Sequence, residues 1–216
     1  CTRSACESLS GVAAFDTPSV DTSACDGLVF GQECLVACAD GYEGSAGADT
    51  LGLVCDAAED TMDTAGFIDR EGQPAATALA CAGVECTFGL PDRRGVTHDC
   101  SGKVTGETCE AAAESPAFAY ASGSGAQTLE CGPTGEFVGS APDVEAQDCP
   151  LPEYGDGVSV SACGEKELGF ECWVYCIAGY TGPVVLHVCQ VDTDANALAL
   201  VPADGDQAVA CVADDA

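Results

Sequence analysis

Basic residues are scarce in this sequence: of 216 residues only 6 are Lys or Arg, against 36 Asp or Glu, and the formal net charge is −30. A surface of that sign repels nucleic acid and anionic lipid, which excludes both as main partners. Long hydrophobic runs are missing as well, because no stretch approaches the roughly 18 uninterrupted apolar residues of a membrane span. The sequence therefore predicts no membrane insertion.

Large apolar side chains are also few. Only 6% of the residues are aromatic, Met and Trp occur once each, and the hydrophobic fraction of 47% includes many Ala and Cys residues. One core for a chain of this length would need more bulk, so several small units held by covalent bonds fit better. The 17 cysteines are typical of a disulfide scaffold and indicate an extracellular protein, secreted or on the cell surface.

Catalytic motifs are absent. The only histidines are His98 and His187, and no G-x-S-x-G nucleophile turn occurs. We therefore expect no enzymatic activity and no cofactor. The single Asn196 is followed by Ala-Leu, which excludes N-glycosylation at a sequon, whereas O-glycans on Ser and Thr stay open.

The cysteines form an internal repeat. The pattern C-x5-G-x2-C begins at Cys25, Cys100 and Cys163, with its glycine at Gly31, Gly106 and Gly169. Repeats of this kind indicate tandem modules. We assign module 1 to residues 6–81, module 2 to 86–148 and module 3 to 149–211. Residues 1–5 are interpreted as the end of a preceding module or linker, and residues 212–216 as a linker.

Modules 1 and 3 have six cysteines each, whereas module 2 lacks the fourth and the sixth. Ala113 stands where its fourth cysteine is expected. Partners tend to be lost together, so the fourth and sixth positions are predicted to pair. The second and third lie nine residues apart around a glycine that allows a hairpin, and the first and fifth remain. Sequence alone admits 15 pairings of six cysteines, and the missing pair favours this one.

These rules predict eight disulfides and leave Cys1 over. The predicted pairs are Cys6–Cys55, Cys25–Cys34, Cys38–Cys81, Cys86–Cys131, Cys100–Cys109, Cys149–Cys189, Cys163–Cys172 and Cys176–Cys211. Cys1 is expected to be unpaired, to bridge protomers, or to be the sixth cysteine of a preceding module. In module 2 we expect Phe118, Tyr120 and Phe137 to pack in place of the missing bridge.

The modules resemble complement-control-protein modules, also called sushi domains. Cys38 and Cys176 are each followed by Gly-Tyr-x-Gly, and the segment from Cys131 to Phe137 is similar to the family's Cys-x3-Gly-x-Trp, with Phe for Trp. The family's pairing then implies first–fifth and fourth–sixth bridges. The resemblance is remote, because the family tryptophan is absent and the hairpin bridge is an addition. It implies a tandem array of three small β modules, and complement regulation does not carry over.

Two segments of the sequence could bind a metal, zinc in one case and Ca²⁺ in the other. The C-x3-C pairs could bind zinc in a reducing compartment, but the repeated six-cysteine frame favours disulfides. Asp192, Asp194 and Asn196 begin like a Ca²⁺ loop. Ala197 and Ala203 then replace its turn glycine and bidentate glutamate. We therefore predict no metal site beyond a weak Ca²⁺ candidate there, with a solvated acidic turn as the default.

Short alternating and β-branched segments separated by Gly, Pro, Asp and Ser predict an all-β fold. We expect an extracellular structural protein, part of a cell-surface or secreted fibre, whose partner is another copy, a longer parent chain, or other extracellular proteins and glycans. The acidity suggests a saline or marine environment. The alternative is an adhesion or receptor ectodomain that binds a protein or glycan. Its contact residues would be Phe170, Trp173, Tyr175 and Tyr180.

Overall fold

The computed structural model describes residues 5–9, 12, 15–45, 48–57, 65–69, 79–164, 166–205 and 209–214. Within these ranges the regular structure consists of eighteen short β-strands and one turn of 3-10 helix, Ser23–Cys25. The expected all-β, disulfide-rich fold is confirmed. Cys1 lies outside the described residues.

Each predicted module contributes six strands. In module 1 and the residues after it, these are β1 Val20–Asp21, β2 Glu33–Cys38, β3 Tyr42–Gly44, β4 Thr50–Ala57, β5 Ala65–Ile68 and β6 Cys81–Gly83. In module 2 they are β7 Val96–His98, β8 Thr108–Ala113, β9 Phe118–Tyr120, β10 Gln127–Cys131, β11 Phe137–Val138 and β12 Val144–Ala146. In module 3 and the residues after it they are β13 Val158–Ser159, β14 Glu171–Cys176, β15 Tyr180–Thr181, β16 Val185–Asp192, β17 Ala197–Pro202 and β18 Val212–Ala213.

The same two sheets recur in all three sets. A four-stranded sheet has the order β1-β2-β4-β5, β7-β8-β10-β11 or β13-β14-β16-β17, and a two-stranded sheet pairs β3 with β6, β9 with β12 or β15 with β18. The hairpin bridge spans nine residues in each set, whereas the two-stranded sheet of module 2 forms without a bridge. Strand β18 lies in residues 212–216, which the sequence analysis assigned to a linker. It pairs with Tyr180 and Thr181 of β15 and therefore belongs to a sheet of module 3.

By compactness the chain divides into two units rather than three. Unit 1 comprises Cys1–Leu90, Cys100–Cys109 and Leu129–Val138, and unit 2 comprises Pro91–Asp99, Glu110–Thr128 and Gly139–Ala216. Module 1 therefore lies in unit 1 and module 3 in unit 2, whereas the residues of module 2 are distributed over both. The boundaries assigned to the three modules stay a prediction.

A central strand in each module alternates between a buried and an exposed side, as the period of two predicts. Its middle inward residue is Val36 in β2, Ala111 in β8 and Val174 in β14, and all three are fully buried. Around Val36 the core of unit 1 gathers Leu9, Phe15, Leu53 and Phe67 with three module cysteines that are themselves buried. Around Val174 the core of unit 2 gathers Leu198, Leu200 and four buried cysteines.

The described residues form eight disulfides, and their pairing is the one that the sequence predicts. They join first to fifth, second to third and fourth to sixth positions, each bridge within a single predicted module. The hairpin glycines Gly31, Gly106 and Gly169 have φ of 83°, 85° and 81°. This is the left-handed region where a side chain would be strained, which explains the shared glycine.

In module 2 the two-stranded sheet forms although the fourth–sixth bridge is missing. Strand β9 pairs with β12 over three residues without a disulfide. The Phe118 ring lies 5.4 Å below the guanidinium carbon of Arg94 and packs on the core of unit 2. Tyr120 lies opposite Val144 and is 37% exposed, and Phe137 is buried opposite Cys131 in a different sheet. Phe118 holds the position that Tyr42 and Tyr180 hold in the bridged modules, so the expected replacement of the bridge by aromatic residues stays a prediction.

Gly157 packs closely against the ring of Tyr180 in the two-stranded sheet of module 3, and a substitution there tests this contact. Its φ is 82°, and a Cβ added there would lie 2.3 Å from the Tyr180 ring. We expect Gly157→Ala to destabilise unit 2 by about 2–4 kcal/mol, because backbone strain and overpacking add. The control Gly179→Ala has a φ of 88° and open space around it, so it should cost only about 1–2 kcal/mol. Urea denaturation under non-reducing conditions measures both, and equal losses would contradict the close contact.

Candidate functional site

The outward side of the central strand differs between the modules. The residue directly after the third cysteine points outward, and it is Leu35 in module 1, Glu110 in module 2 and Trp173 in module 3. Leu35 is 54% exposed and Trp173 is 53% exposed. Apolar side chains of this size on the solvent side of a small sheet do not stabilise the module's own core. They identify the outer sheet faces as candidate binding surfaces.

In module 3 this outer side is an extended apolar surface, which we call the Trp173 face. Trp173 in β14 lies directly opposite Leu186 in β16, and Val188 lies opposite both Glu171 and Val201 of β17. Residues opposite each other in an antiparallel pair share one side of the sheet. The Trp173 face therefore consists of Trp173, Tyr175, Leu186, Val188 and Val201, all at least partly accessible.

Hydroxyl groups border the Trp173 face on one edge. Tyr175 pairs with Ser159 of β13, and its phenol oxygen lies 3.3 Å from the Ser161 hydroxyl oxygen. The Ser159 and Ser161 hydroxyl oxygens are 3.2 Å apart. Hydrogen bonds from Ser159 and then Ser161 lower the pKa of the Tyr175 phenol from its ordinary value, because they stabilise the phenolate.

These contacts predict the order in which the tyrosines ionise. Tyr175 should lose its proton below the usual range near pH 10, whereas burial raises the pKa of Tyr154. In an ultraviolet titration, Tyr175→Phe should remove the lowest-pH transition and Tyr154→Phe the highest. Because folding favours the neutral Tyr154, the stability it contributes is complete below the unfolded pKa and is lost as pH rises through its folded pKa. Identical titration curves for the two variants would contradict this order.

The other two contact residues predicted from the sequence lie elsewhere. Phe170 is half exposed in the turn before β14, with the Lys166 ammonium nitrogen 4.2 Å from its ring centre. Tyr180 belongs to the two-stranded sheet of module 3 and packs against Gly157. The structure therefore brings Trp173 and Tyr175 together on one surface and separates Tyr180 from them.

Module 1 has a second apolar outer surface, which we call the Leu35 face. Leu35 in β2 lies opposite Gly52 in β4, and Val54 lies opposite both Glu33 and Ile68. Because Gly52 has no side chain, the sheet is notched beside Leu35. A cavity of about 430 Å³ opens there, lined also by Ala24, Cys34 and Leu53.

The corresponding surface of module 2 is polar in the part that belongs to unit 2. There, Thr97 of β7 lies opposite Ala112 of β8, with the exposed Glu110 two residues away on the same side. His98 is mostly buried, and its Nε2 lies 2.8 Å from the Asp92 carboxylate oxygen Oδ1. This part of the module 2 surface therefore lacks the bulky apolar side chains of modules 1 and 3, whereas Val138, in the part that belongs to unit 1, is 66% exposed.

The weak Ca²⁺ candidate forms the turn between β16 and β17. The Asp192 carboxylate oxygen Oδ1 accepts hydrogen bonds from the backbone N–H groups of Asp194 and Ala195, at 2.9 and 3.1 Å. Asn196 takes a φ of 49°, which closes the hairpin. One carboxylate oxygen is thus used to stabilise a turn, an arrangement in which Asp and Asn are common without any metal.

The remaining chemistry-bearing residues lie in structural positions. The cysteines of both C-x3-C segments, Cys34 with Cys38 and Cys172 with Cys176, are bound to other cysteines. His187 is buried in β16, with its Nδ1 3.3 Å from the Val185 carbonyl oxygen and its ring edge-on to Tyr154. No cysteine or histidine in these contacts is positioned as a free metal ligand or nucleophile.

Sequence reasoning missed most of the members of the two apolar faces. Leu186, Val188 and Val201 lie in strands that are apolar on both sides, so alternation does not separate inward from outward residues. Leu35 could have been found from the repeat, because it directly follows the third cysteine of its module, as Trp173 does.

The fold defines a class: a small, all-β, disulfide-stabilised modular chain. No family model and no curated protein matches the sequence of this chain. The part of the chain that the structure describes holds no helix with the length and hydropathy that crossing a bilayer requires. The many disulfides are consistent with an extracellular location.

Proposed function

We propose that this chain is an extracellular structural protein, a tandem array of sushi-like modules that forms part of a cell-surface or secreted fibre. The observation that carries the proposal is the pair of apolar outer faces on modules 1 and 3. A fibre subunit needs two adhesive surfaces, and these faces lie on modules at opposite ends of the sequence. The eight disulfides support it further, because crosslinked modules keep their shape outside the cell.

The net charge of −30 sets the conditions for assembly. Copies repel each other at low ionic strength, and the Debye length shortens from about 30 Å at 0.01 M salt to about 3 Å at 1 M. Association should therefore strengthen as salt rises, which agrees with a saline or marine environment. This dependence is opposite to that of a contact held by ion pairs, which salt weakens.

Electron microscopy and sedimentation velocity of the native chain test the proposal. In buffer of seawater ionic strength, we expect filaments and a sedimentation coefficient that rises with protein concentration. In dilute buffer the same material should be largely monomeric. A monomer at every salt and protein concentration would overturn the fibre assignment.

A second candidate function is an adhesion or receptor ectodomain that binds a protein or glycan. The observation in its favour is that Trp173 and Tyr175 lie together on one surface beside the Ser159 and Ser161 hydroxyls. Aromatic rings bordered by hydroxyl groups suit an amphipathic ligand. Acrylamide quenching of Trp173 fluorescence tests this function. If a soluble oligosaccharide reduces the quenching while the chain stays monomeric, the binding function is favoured over the fibre.

A further inference from the structure

All three modules finish in the same local structure, which we call the module end. Its two-stranded sheet pairs an aromatic residue with a small one, and these pairs are Tyr42–Gly83, Phe118–Ala146 and Tyr180–Ala213. The residue after the small one donates its backbone N–H to the carbonyl oxygen of the residue before the aromatic one. These bonds run from Val84 to Gly41, from Gln147 to Ala117 and from Asp214 to Gly179, at 2.9, 2.8 and 2.9 Å.

Module 2 covers the end of module 1, and this junction lies within unit 1. The Thr105 N–H donates to the Val84 carbonyl oxygen at 2.9 Å, and the Tyr42 hydroxyl donates to the Thr105 carbonyl oxygen at 3.4 Å. A Cβ added at Gly83 would lie 3.1 Å from the Val104 side chain. The covering segment is thus the hairpin that the second–third bridge of module 2 closes.

Module 3 covers the end of module 2, and this junction lies within unit 2. Ala117 is only 3% exposed and belongs to one core cluster with the two hairpin cysteines of module 3. The Arg94 guanidinium, which lies over the Phe118 ring, donates a hydrogen bond to the Glu167 carboxylate of the same hairpin. At both internal junctions, therefore, the bridged hairpin of the following module covers the module end.

The end of module 3 has the same backbone hydrogen bond but an open surface. Gly179, Ala213 and Asp214 are exposed, whereas the corresponding residues of modules 1 and 2 are partly or fully buried. A Cβ added at Gly179 would meet no atom of the described residues within 4 Å. At Gly41 the same atom would lie 2.5 Å from the Cα of Pro133 in module 2.

We infer that the end of module 3 is a docking surface for the bridged hairpin of another sushi-like module connected in tandem. The chain's own junctions select this partner, because a hairpin of that kind covers the module end in both of them. The contact can be small, since a short connection holds its two sides at an effective concentration of about millimolar. The inference rests on the array of modules in the proposed function and adds which surface receives the next module.

The hairpin of module 1 has the form that this surface requires. Val29 forms an antiparallel bridge with Ala5, as Val104 does with Glu85 at the junction of modules 1 and 2. The next residue, Phe30, is 45% exposed. A second copy of the chain therefore supplies a suitable partner hairpin for a test.

A tandem of two copies tests the inference. Cys6 of the second copy follows Asp215 of the first, so that four residues separate Cys211 from Cys6, as four residues separate Cys81 from Cys86. Within one molecule, the module end of the first copy then has a module after it, and that of the second copy has none. The uncovered end serves as an internal reference.

Amide hydrogen exchange, measured by mass spectrometry of the peptides that contain Asp214, reads out the docking. The two peptides differ in mass because different residues follow Asp215 in the two copies. We expect the junction peptide to exchange about tenfold more slowly than the reference peptide, since the docked hairpin must open before the strand can exchange.

Two glutamate variants of the first copy locate the contact. Ala213→Glu places a carboxylate where Gly83 lies against the following hairpin in module 1, so the slow exchange should be lost. Val212→Glu is the matched control, because its counterpart in module 2 is Glu145, which is exposed although that module end is covered. Slow exchange should persist there. Non-reducing peptide mapping of both variants checks that every bridge is retained.

The outcomes distinguish this inference from the proposed function. Equal exchange at the two ends of the tandem, or slow exchange that Ala213→Glu leaves unchanged, overturns the docking. Equal loss in both glutamate variants overturns it as well. If the native chain nevertheless forms filaments, the fibre stands without this docking surface. If the junction is protected while the native chain stays monomeric at every salt concentration, the docking stands and the fibre falls.

Discussion

Replacing Cys6 and Cys55 together by alanine is expected to lower the free energy of unfolding of unit 1 by about 4 kcal/mol. The bridge joins residues 49 apart in sequence, and the stabilisation from a crosslink grows with the length of the loop that it closes in the unfolded chain. Cys55 is also fully buried in the core with Val36 and Leu53, so its loss leaves a small cavity. The net stability of a domain is typically about 5–15 kcal/mol, and this change removes a large share of it.

The matched control is the hairpin bridge between Cys25 and Cys34, which spans only nine residues. The same argument gives about 3 kcal/mol for its removal. Urea denaturation followed by circular dichroism should therefore rank the long bridge above the short one. The reverse ranking would show that restriction of the unfolded chain is not the main contribution of these disulfides.

The second large effect is expected at Leu53. Its side chain is almost completely buried in the core of unit 1, so Leu53→Ala should cost about 2–5 kcal/mol through lost burial and the cavity left behind. The control Leu35→Ala lies on the neighbouring strand and on the opposite side of the sheet. Since Leu35 is half exposed, its truncation should change stability by no more than about 0.5 kcal/mol.

Thermal and urea denaturation of the two leucine variants measure this contrast under non-reducing conditions. A large loss for both would mean that Leu35 belongs to the module's core and is not available for a partner. A small loss for both would mean that the disulfides hold unit 1 together with little help from apolar packing. Either outcome would require a different account of the Leu35 face.

The disulfide framework of this fold was predictable because the positions of the cysteines in the repeat limit how they can pair. The C-x5-G-x2-C repeat and the absence of two cysteines from module 2 led to the eight pairs that the structure contains. The positive φ at Gly31, Gly106 and Gly169 followed from the same spacing. The hairpin bridges and their glycines were predictable because cysteines nine residues apart can be joined only through a tight turn.

The outer faces were harder to predict, because they depend on strand register. Whether Leu186 points inward or outward is decided by its pairing with Trp173, and a shift of one residue would reverse it. Likewise the notch at Gly52 exists only because that glycine lies opposite Leu35. The position of Phe118 also depends on register, because it lies where Tyr42 and Tyr180 lie in the modules that keep the bridge. That Phe137 lies in another sheet depends on pairing that the sequence leaves open.

Non-reducing peptide mapping, combined with thiol titration of the native chain, tests the central claim most directly. The account predicts eight crosslinked peptide pairs with first–fifth, second–third and fourth–sixth connectivity, and a single cysteine, Cys1, outside them. Reactive thiols in large number, a bound metal in their place, or crosslinks between modules would contradict it.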